Sequence, residues 1–168
     1  VNGYNNFFKN KNNEYNIIFI SFPFSNIEYV KYFSLEQLAR VYKDKILSFI
    51  PSLKNEYFIG GYSFGGNIAF EIARQLQEEA SIIIPEIIMI DSHPIEAYNH
   101  TEKKLITRNT INFALNEFGK QGVINSDLLD DKIDKYSKVW VINHKMLKEY
   151  TPPKVQLDSH LNILICKE

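Results

Sequence analysis

A buried-strand signature, Tyr57-Phe58-Ile59, passes into a helical pattern over 67–76 through Gly60-Gly61-Tyr62-Ser63-Phe64-Gly65-Gly66. Few folds can accommodate a serine on so sharp a turn between a strand and a helix. Its dihedrals must be strained, and neighbouring backbone passes too close for a Cβ at the flanking positions, a need that Gly61 and Gly65 meet. Ser63 is then exposed on the turn as a candidate nucleophile. The helix that follows aims backbone N–H groups and the positive end of its dipole at any negative charge formed there, and the N–H of Phe64 is the natural first oxyanion donor. The competing reading is a glycine-rich turn with an incidental serine. A phosphate loop is excluded, because no Lys-Ser or Lys-Thr follows the glycines and the G-x-G-x-x-G spacing is absent.

With 168 residues, 45% of them hydrophobic and 14% aromatic, the chain can build one core. A net charge of −1, with acidic and basic residues interspersed, leaves no electrostatic footprint for nucleic acid or an anionic membrane, so neither is expected as a partner. The single cysteine, Cys166, excludes an internal disulfide and reads as a small core residue. No stretch reaches the roughly 18 apolar residues of a membrane span, and nothing resembles a signal peptide. The chain opens on Val1 rather than methionine, which suits an excised piece of a longer polypeptide.

Tyr4, Phe7 and Phe8 fall on one helical face and predict a short helix. The run over 16–22, ended by Pro23, predicts a strand buried on both faces of a parallel sheet. Ser34 and Gln37 form a capping box for a helix whose apolar face is Leu35, Leu38, Ala39, Tyr42, Ile46 and Phe49, and which stops before Pro51. A strand over 57–59, the turn, a helix to about Glu79 and a second buried strand over 86–90 follow, ending at Asp91. Strand alternating with helix implies a parallel sheet flanked by helices, with ligands at the carboxyl ends of the strands, where Ser63 and Asp91 both lie. Two amphipathic stretches, over about 103–118 and 127–150, then run without a strand between them. An excursion of that length, over 93–150, reads as a lid, with a packed helical extension as the alternative. The last strand is expected over 161–165. No repeat or linker justifies a domain boundary, so residues 1–168 are read as one domain.

A serine hydroxyl needs a base within reach, and the base needs a carboxylate to fix its tautomer. Asp91 is the best placed acid; Glu168, after the next strand, competes with it. The four histidines, His93, His100, His144 and His160, all satisfy the order serine, acid, histidine. His93 is only two residues from Asp91, His100 and His144 belong to the excursion, and His160 precedes a strand at its amino end. The best account places the base outside this chain. No H-x-E…C-x-x-C or H-E-x-x-H pattern offers a metal route.

The run from Glu56 through Gly61-Tyr62-Ser63-Phe64-Gly65-Gly66 and Phe70-Glu71-Ile72-Ala73-Arg74-Gln75-Leu76 resembles the elbow of thioesterase domains that terminate non-ribosomal peptide and polyketide synthetases, of the α/β-hydrolase superfamily. Ile87-Ile88-Met89-Ile90-Asp91-Ser92-His93-Pro94 is similar to the acid-bearing strand of that family, and Ser34-Leu35-Glu36-Gln37-Leu38-Ala39 to the helix before its elbow strand. The resemblance implies an α/β-hydrolase-like parallel sheet with a helical lid over 93–150 inserted after that strand. It implies Ser63 as nucleophile, Asp91 as acid, a second oxyanion N–H at or just before Val1, and a histidine beyond Glu168, so that residues 1–168 form a partial domain. It also implies acyl transfer to Ser63 from the phosphopantetheine arm of an acyl or peptidyl carrier protein, with no cofactor of the enzyme's own, in the cytoplasm. Ile106, Ile111, Phe113, Phe118, Trp140 and Tyr150 would suit an apolar acyl chain or simple lid packing. A carboxylester hydrolase of small esters and a catalytically incomplete binding module are the alternatives.

Overall fold

The computed structural model describes residues 18–20, 27–49, 57–92, 129–154 and 156–165. In chain order the elements are α1 (Ile27–Val30), α2 (Leu35–Phe49), β1 (Phe58–Tyr62), α3 (Phe64–Ala80), β2 (Glu86–Ile90), α4 (Leu129–Glu149) and β3 (His160–Leu164). Residues 1–27 with 105–141 form one compact unit, and 28–104 with 142–168 a second. Among the described residues no helix is long and apolar enough to cross a membrane.

In the first unit, Ile18, Phe19 and Ile20 are exposed and lie outside any strand, where the sequence predicts part of a buried one. An apolar β-branched run reports a need for burial and does not by itself fix a ladder. The first turns of α4 belong to the same unit. The helices expected around Tyr4 and over 103–118 lie outside the described residues.

The second unit is built on a parallel sheet in the order β1-β2-β3, with β1, α3 and β2 forming a right-sized crossover unit. In β1 and β2 the register pairs Ile59 with Ile87 and Gly61 with Met89, which places these four residues on one face. That face packs against α3, and Ile87 and Met89 are buried in it. Phe58 and Tyr62, on the opposite face, are 46% and 47% exposed, and β3 is exposed along its whole length. The expectation of buried strands over 57–59 and 86–90 is therefore met most fully on the α3 face of β2, because an apolar strand records what it can bury and not which neighbours cover it.

The capping box of α2 is formed: the Ser34 N–H donates to Gln37 Oε1 at 2.8 Å and the Gln37 N–H to Ser34 Oγ at 3.3 Å. Leu35, Leu38 and Ala39 are fully buried, each large side chain contributing about 1.5–3 kcal/mol. Burial fades along the helix, however, and Phe49 is exposed with the Lys45 ammonium 4.9 Å from its ring centre. The six-residue apolar face is thus buried at one end only. Helix α3 carries Ile68, Ala69, Ile72, Ala73 and Leu76 into the core and ends at Ser81, whose left-handed φ of 53° turns the chain while its N–H caps Leu76 O.

A charged cluster lies inside this core. Glu71, 0% exposed, accepts from Arg74 Nε and Nη2 at 2.7 and 2.6 Å, from Gln75 Nε2 at 2.8 Å and from the Tyr150 hydroxyl at 2.6 Å. Burial pushes the Glu71 carboxyl up, but the hydrogen bonds from Arg74, Tyr150 and Gln75 outweigh it and hold the group below its usual range. Burial, then the Glu71 carboxylate, drive the Tyr150 hydroxyl upward. Gln75 Nε2 also donates to Glu36 O at 2.9 Å, so the cluster joins α2, α3 and the residue that ends α4. Further along α3, Glu79 pairs with Lys43 and, at 3.0 Å, with Arg40.

Candidate active site at the carboxyl edge of the sheet

Strands β1 and β2 end in the same way. Beyond the last register pair, Tyr62 with Ile90, the ladder continues for one hydrogen bond on each strand: the Ser63 N–H donates to Ile90 O at 2.8 Å and the Asp91 N–H to Leu164 O at 2.6 Å. Each chain then turns through a positive φ on a residue that is not glycine, 52° at Ser63 and 51° at Asp91. Such angles are uncommon, and the third case among the described residues, Ser81, is a helix cap. Two of them on adjacent strand ends, about 5 Å apart by strand spacing, mark a place where the backbone is held in an unfavourable form.

Ser63 has ψ −122° and occupies the N-cap position of α3, yet its side chain makes no capping hydrogen bond. A serine at this position ordinarily spends its hydroxyl on the first helical N–H groups. Here the helix begins at Phe64 immediately after it, with its N–H groups and dipole at the turn. The steric need for glycine is real at Gly61, where a Cβ would overlap the carbonyl carbon and oxygen of Gly65 and come within 2.6 Å of Gly66 N. Gly65 differs from the sequence expectation, since a Cβ there meets nothing within 4 Å among the described residues. Gly66 takes its place: a Cβ there would overlap Ser92 Oγ and stand 3.0 Å from Ser92 Cβ. The motif spacing shows that close approach is needed but not which glycine faces the neighbouring strand.

Asp91 lies at the turn half-buried, with the Tyr62 hydroxyl 3.4 Å from its Oδ2. The structure therefore brings Ser63, Phe64 and Asp91 to one edge. It puts His160 at the opposite end of the sheet, paired with Glu86 at the amino ends of β3 and β2. His144 lies on α4; Val1, His93, His100, Cys166 and Glu168 lie outside the described residues. Of the residues considered for an acyl cavity, Trp140 is 39% exposed and Tyr150 is core, bonded to Glu71; Ile106, Ile111, Phe113 and Phe118 are outside the described residues. Among the described residues no group of His, Cys, Asp and Glu stands together as a metal site. Sequence reasoning missed Ser92 and Tyr62, whose only signal is their adjacency to Asp91 and Ser63.

The thioesterase domain family model matches residues 4–149. This chain belongs to the thioesterase domain family. It is 43% identical over 58 residues to the polyketide synthase PksR of Bacillus subtilis, and 35% identical over 91 residues to the thioesterase frbE of a Dothideomycetidae species. Those stretches cover 34% and 49% of this chain but only 2% and 34% of the relatives. Among solved structures, the thioesterase domain NocB, held as a covalent complex with a fluorophosphonate nocardicin G analogue, superposes with a TM-score of 0.68 at 22% identity, over 87% of this chain and 59% of its own. RedJ thioesterase of the prodiginine pathway of Streptomyces coelicolor gives 0.58 at 14% identity, over 79% and 61%. The family fold is thus an α/β parallel sheet flanked by helices, and the chain spans less than two thirds of each of these proteins.

Proposed function

We propose that Ser63 is the nucleophile of a thioesterase that releases an acyl or peptidyl chain from a phosphopantetheinyl carrier protein. The observation that carries this reading is the strained φ of Ser63 at the junction of β1 and α3, with its hydroxyl left out of the helix cap. Ser63 Oγ attacks the thioester carbonyl, the carbon–sulfur bond breaks, and the serine proton leaves with the pantetheine thiol. Water or a nucleophile within the chain then takes the acyl group from Ser63, and the proton returns. The Phe64 N–H, at the positive end of α3, stabilises the oxyanion of both tetrahedral intermediates. Asp91 holds the ring of a histidine base and stabilises its charged form. We place that base outside residues 1–168, a reading supported by the position of His160 at the far end of the sheet.

The test is single-turnover release from an acyl-pantetheine thioester by the complete polypeptide. Ser63→Ala is expected to lower the rate by about 10⁴-fold or more, because the members of such a triad act as a unit. Near-normal release by that variant removes the elbow from the mechanism. A strong preference for a free ester over the pantetheine thioester points to a carboxylester hydrolase, and a rate that collapses in His93→Ala or His144→Ala moves the base into this chain.

A further inference from the structure

The reaction just described makes no use of the hydroxyl next to the acid, yet the fold is built around it. Ser92 is 4% exposed. Its Oγ lies 2.7 Å from the Ser63 carbonyl oxygen and 3.4 Å from Ile90 O. A hydroxyl has one proton to donate, and the shorter contact takes it. The same Ser63 carbonyl accepts the Gly66 N–H at 3.0 Å. Two donors from two elements, one from the acid-bearing turn and one from the first turn of α3, therefore hold a single carbonyl. That carbonyl sets the ψ of Ser63, the dihedral that accompanies its strained φ. Gly66 has no side chain because the Ser92 hydroxyl occupies the space a Cβ would need.

We propose that Ser92 is a positioning residue whose hydroxyl, by tethering the Ser63 carbonyl to the turn that carries Asp91, fixes the direction of the Ser63 hydroxyl relative to the acid. The proposal rests on the reading of Ser63 as the nucleophile. Ser92 touches neither substrate nor reacting atoms; it acts through the peptide of Ser63. A strained backbone persists only where its surroundings over-determine it, and removal of one of two donors lets the Ser63–Phe64 peptide rotate. Rotation there moves both the attacking oxygen and the Phe64 N–H. A misplacement of about 1 Å in such geometry costs on the order of 10²-fold in rate.

The experiment compares the complete polypeptide with Ser92→Ala and with the double variant Ser92→Ala/Gly66→Ala, in which a new Cβ refills the space left by the hydroxyl without restoring a donor. Fluorophosphonate labelling of Ser63 and steady-state thioester release are measured in each. Ser92→Ala is expected to slow labelling and lower kcat by about 10- to 100-fold with KM within about twofold. The double variant, whose new Cβ stands 3.0 Å from the Cβ of residue 92 and 3.1 Å from Gly61 O, should not recover the rate. Wild-type labelling and kcat in Ser92→Ala, or recovery of the rate in the double variant, overturns the proposal by showing that the hydroxyl only fills space. Failure of the wild type to be labelled at Ser63 counts instead against Ser63 as nucleophile. The tether is then read from amide exchange at Ser63 and Gly66, which should quicken in Ser92→Ala; unchanged exchange overturns it.

Discussion

At the first turn of α3 the polar atoms are mostly backbone, the side chains are mostly glycine, and the dihedrals of Ser63 are strained. Two turns further along the same helix the polar atoms are side chains, Glu71, Arg74 and Gln75, and Glu71 is satisfied by four hydrogen bonds from three residues. The first region leaves the Ser63 hydroxyl out of the helix cap; the second commits every oxygen of a buried carboxylate. The difference separates two tasks on one helix. The Glu71 cluster joins α3 to α2 and to Tyr150, and a helix so held can keep a strained turn at its end. Substitutions in the cluster should therefore cost stability with little effect on chemistry, and substitutions at the turn should cost chemistry beyond any loss of stability.

Glu71→Ala tests this most severely. It leaves the Tyr150 hydroxyl without its acceptor and Arg74 with Glu78 alone, and breaking a buried pair in this way costs up to about 3–5 kcal/mol. Denaturant unfolding should show that loss, while the fraction still folded releases acyl groups at a near-normal rate. A collapse in the rate of the folded fraction would join the two regions that the comparison separates.

Gly61→Ala is the counterpart at the turn. Its Cβ has no room against Gly65, and overpacking of this kind costs up to about 3 kcal/mol. Labelling of Ser63 should fall further than the stability loss explains, since the backbone that must shift is that of the turn that carries Ser63.

Tyr150→Phe removes one hydrogen bond to a charged acceptor, worth about 1.5–3 kcal/mol, and keeps the ring. It also bears on acid sensitivity. The Glu71 carboxyl is held below its unfolded value of 4.5, so its contribution is complete above that value and is lost as the pH falls through the lowered folded value. The Glu71 contribution to wild-type stability should therefore be lost only below pH 4.5, and Tyr150→Phe should move the acid-unfolding midpoint upward; an unmoved midpoint would take Tyr150 out of the linkage.

Gly65→Ala should have the smallest effect. Its Cβ meets nothing within 4 Å among the described residues, and alanine in place of a helical glycine stabilises by about 0.5–1 kcal/mol. Thermal unfolding that falls by several degrees would show that the turn is tight at both flanking glycines, as the sequence motif alone suggests.

That pair of glycines shows how much could be read in advance. The elbow was legible because strand, serine, glycine and helix follow one another within a few residues, and β2 was legible because its apolar run ends at a polar residue. Ser34 and Gln37 announced the start of α2 through a local rule. Gly66 and Ser92 were not legible, because their contact joins two turns brought together only by the sheet. Glu71 looked like one more polar residue on an amphipathic helix, and its partner Tyr150 like a candidate wall of an acyl cavity. A bond across 79 residues leaves no periodic trace. The exposed face of β1 and the exposure of β3 are hidden for the same reason: composition shows what a strand can bury and not which layer lies over it.

The account depends above all on Ser63 becoming acylated. The complete polypeptide would be exposed to an acyl-pantetheine thioester, quenched in acid during turnover, digested, and its peptides weighed. The expected result is the mass of the acyl group on the peptide that contains Ser63, absent from Ser63→Ala. Turnover with no adduct on that peptide, or with the adduct on another residue, would contradict it.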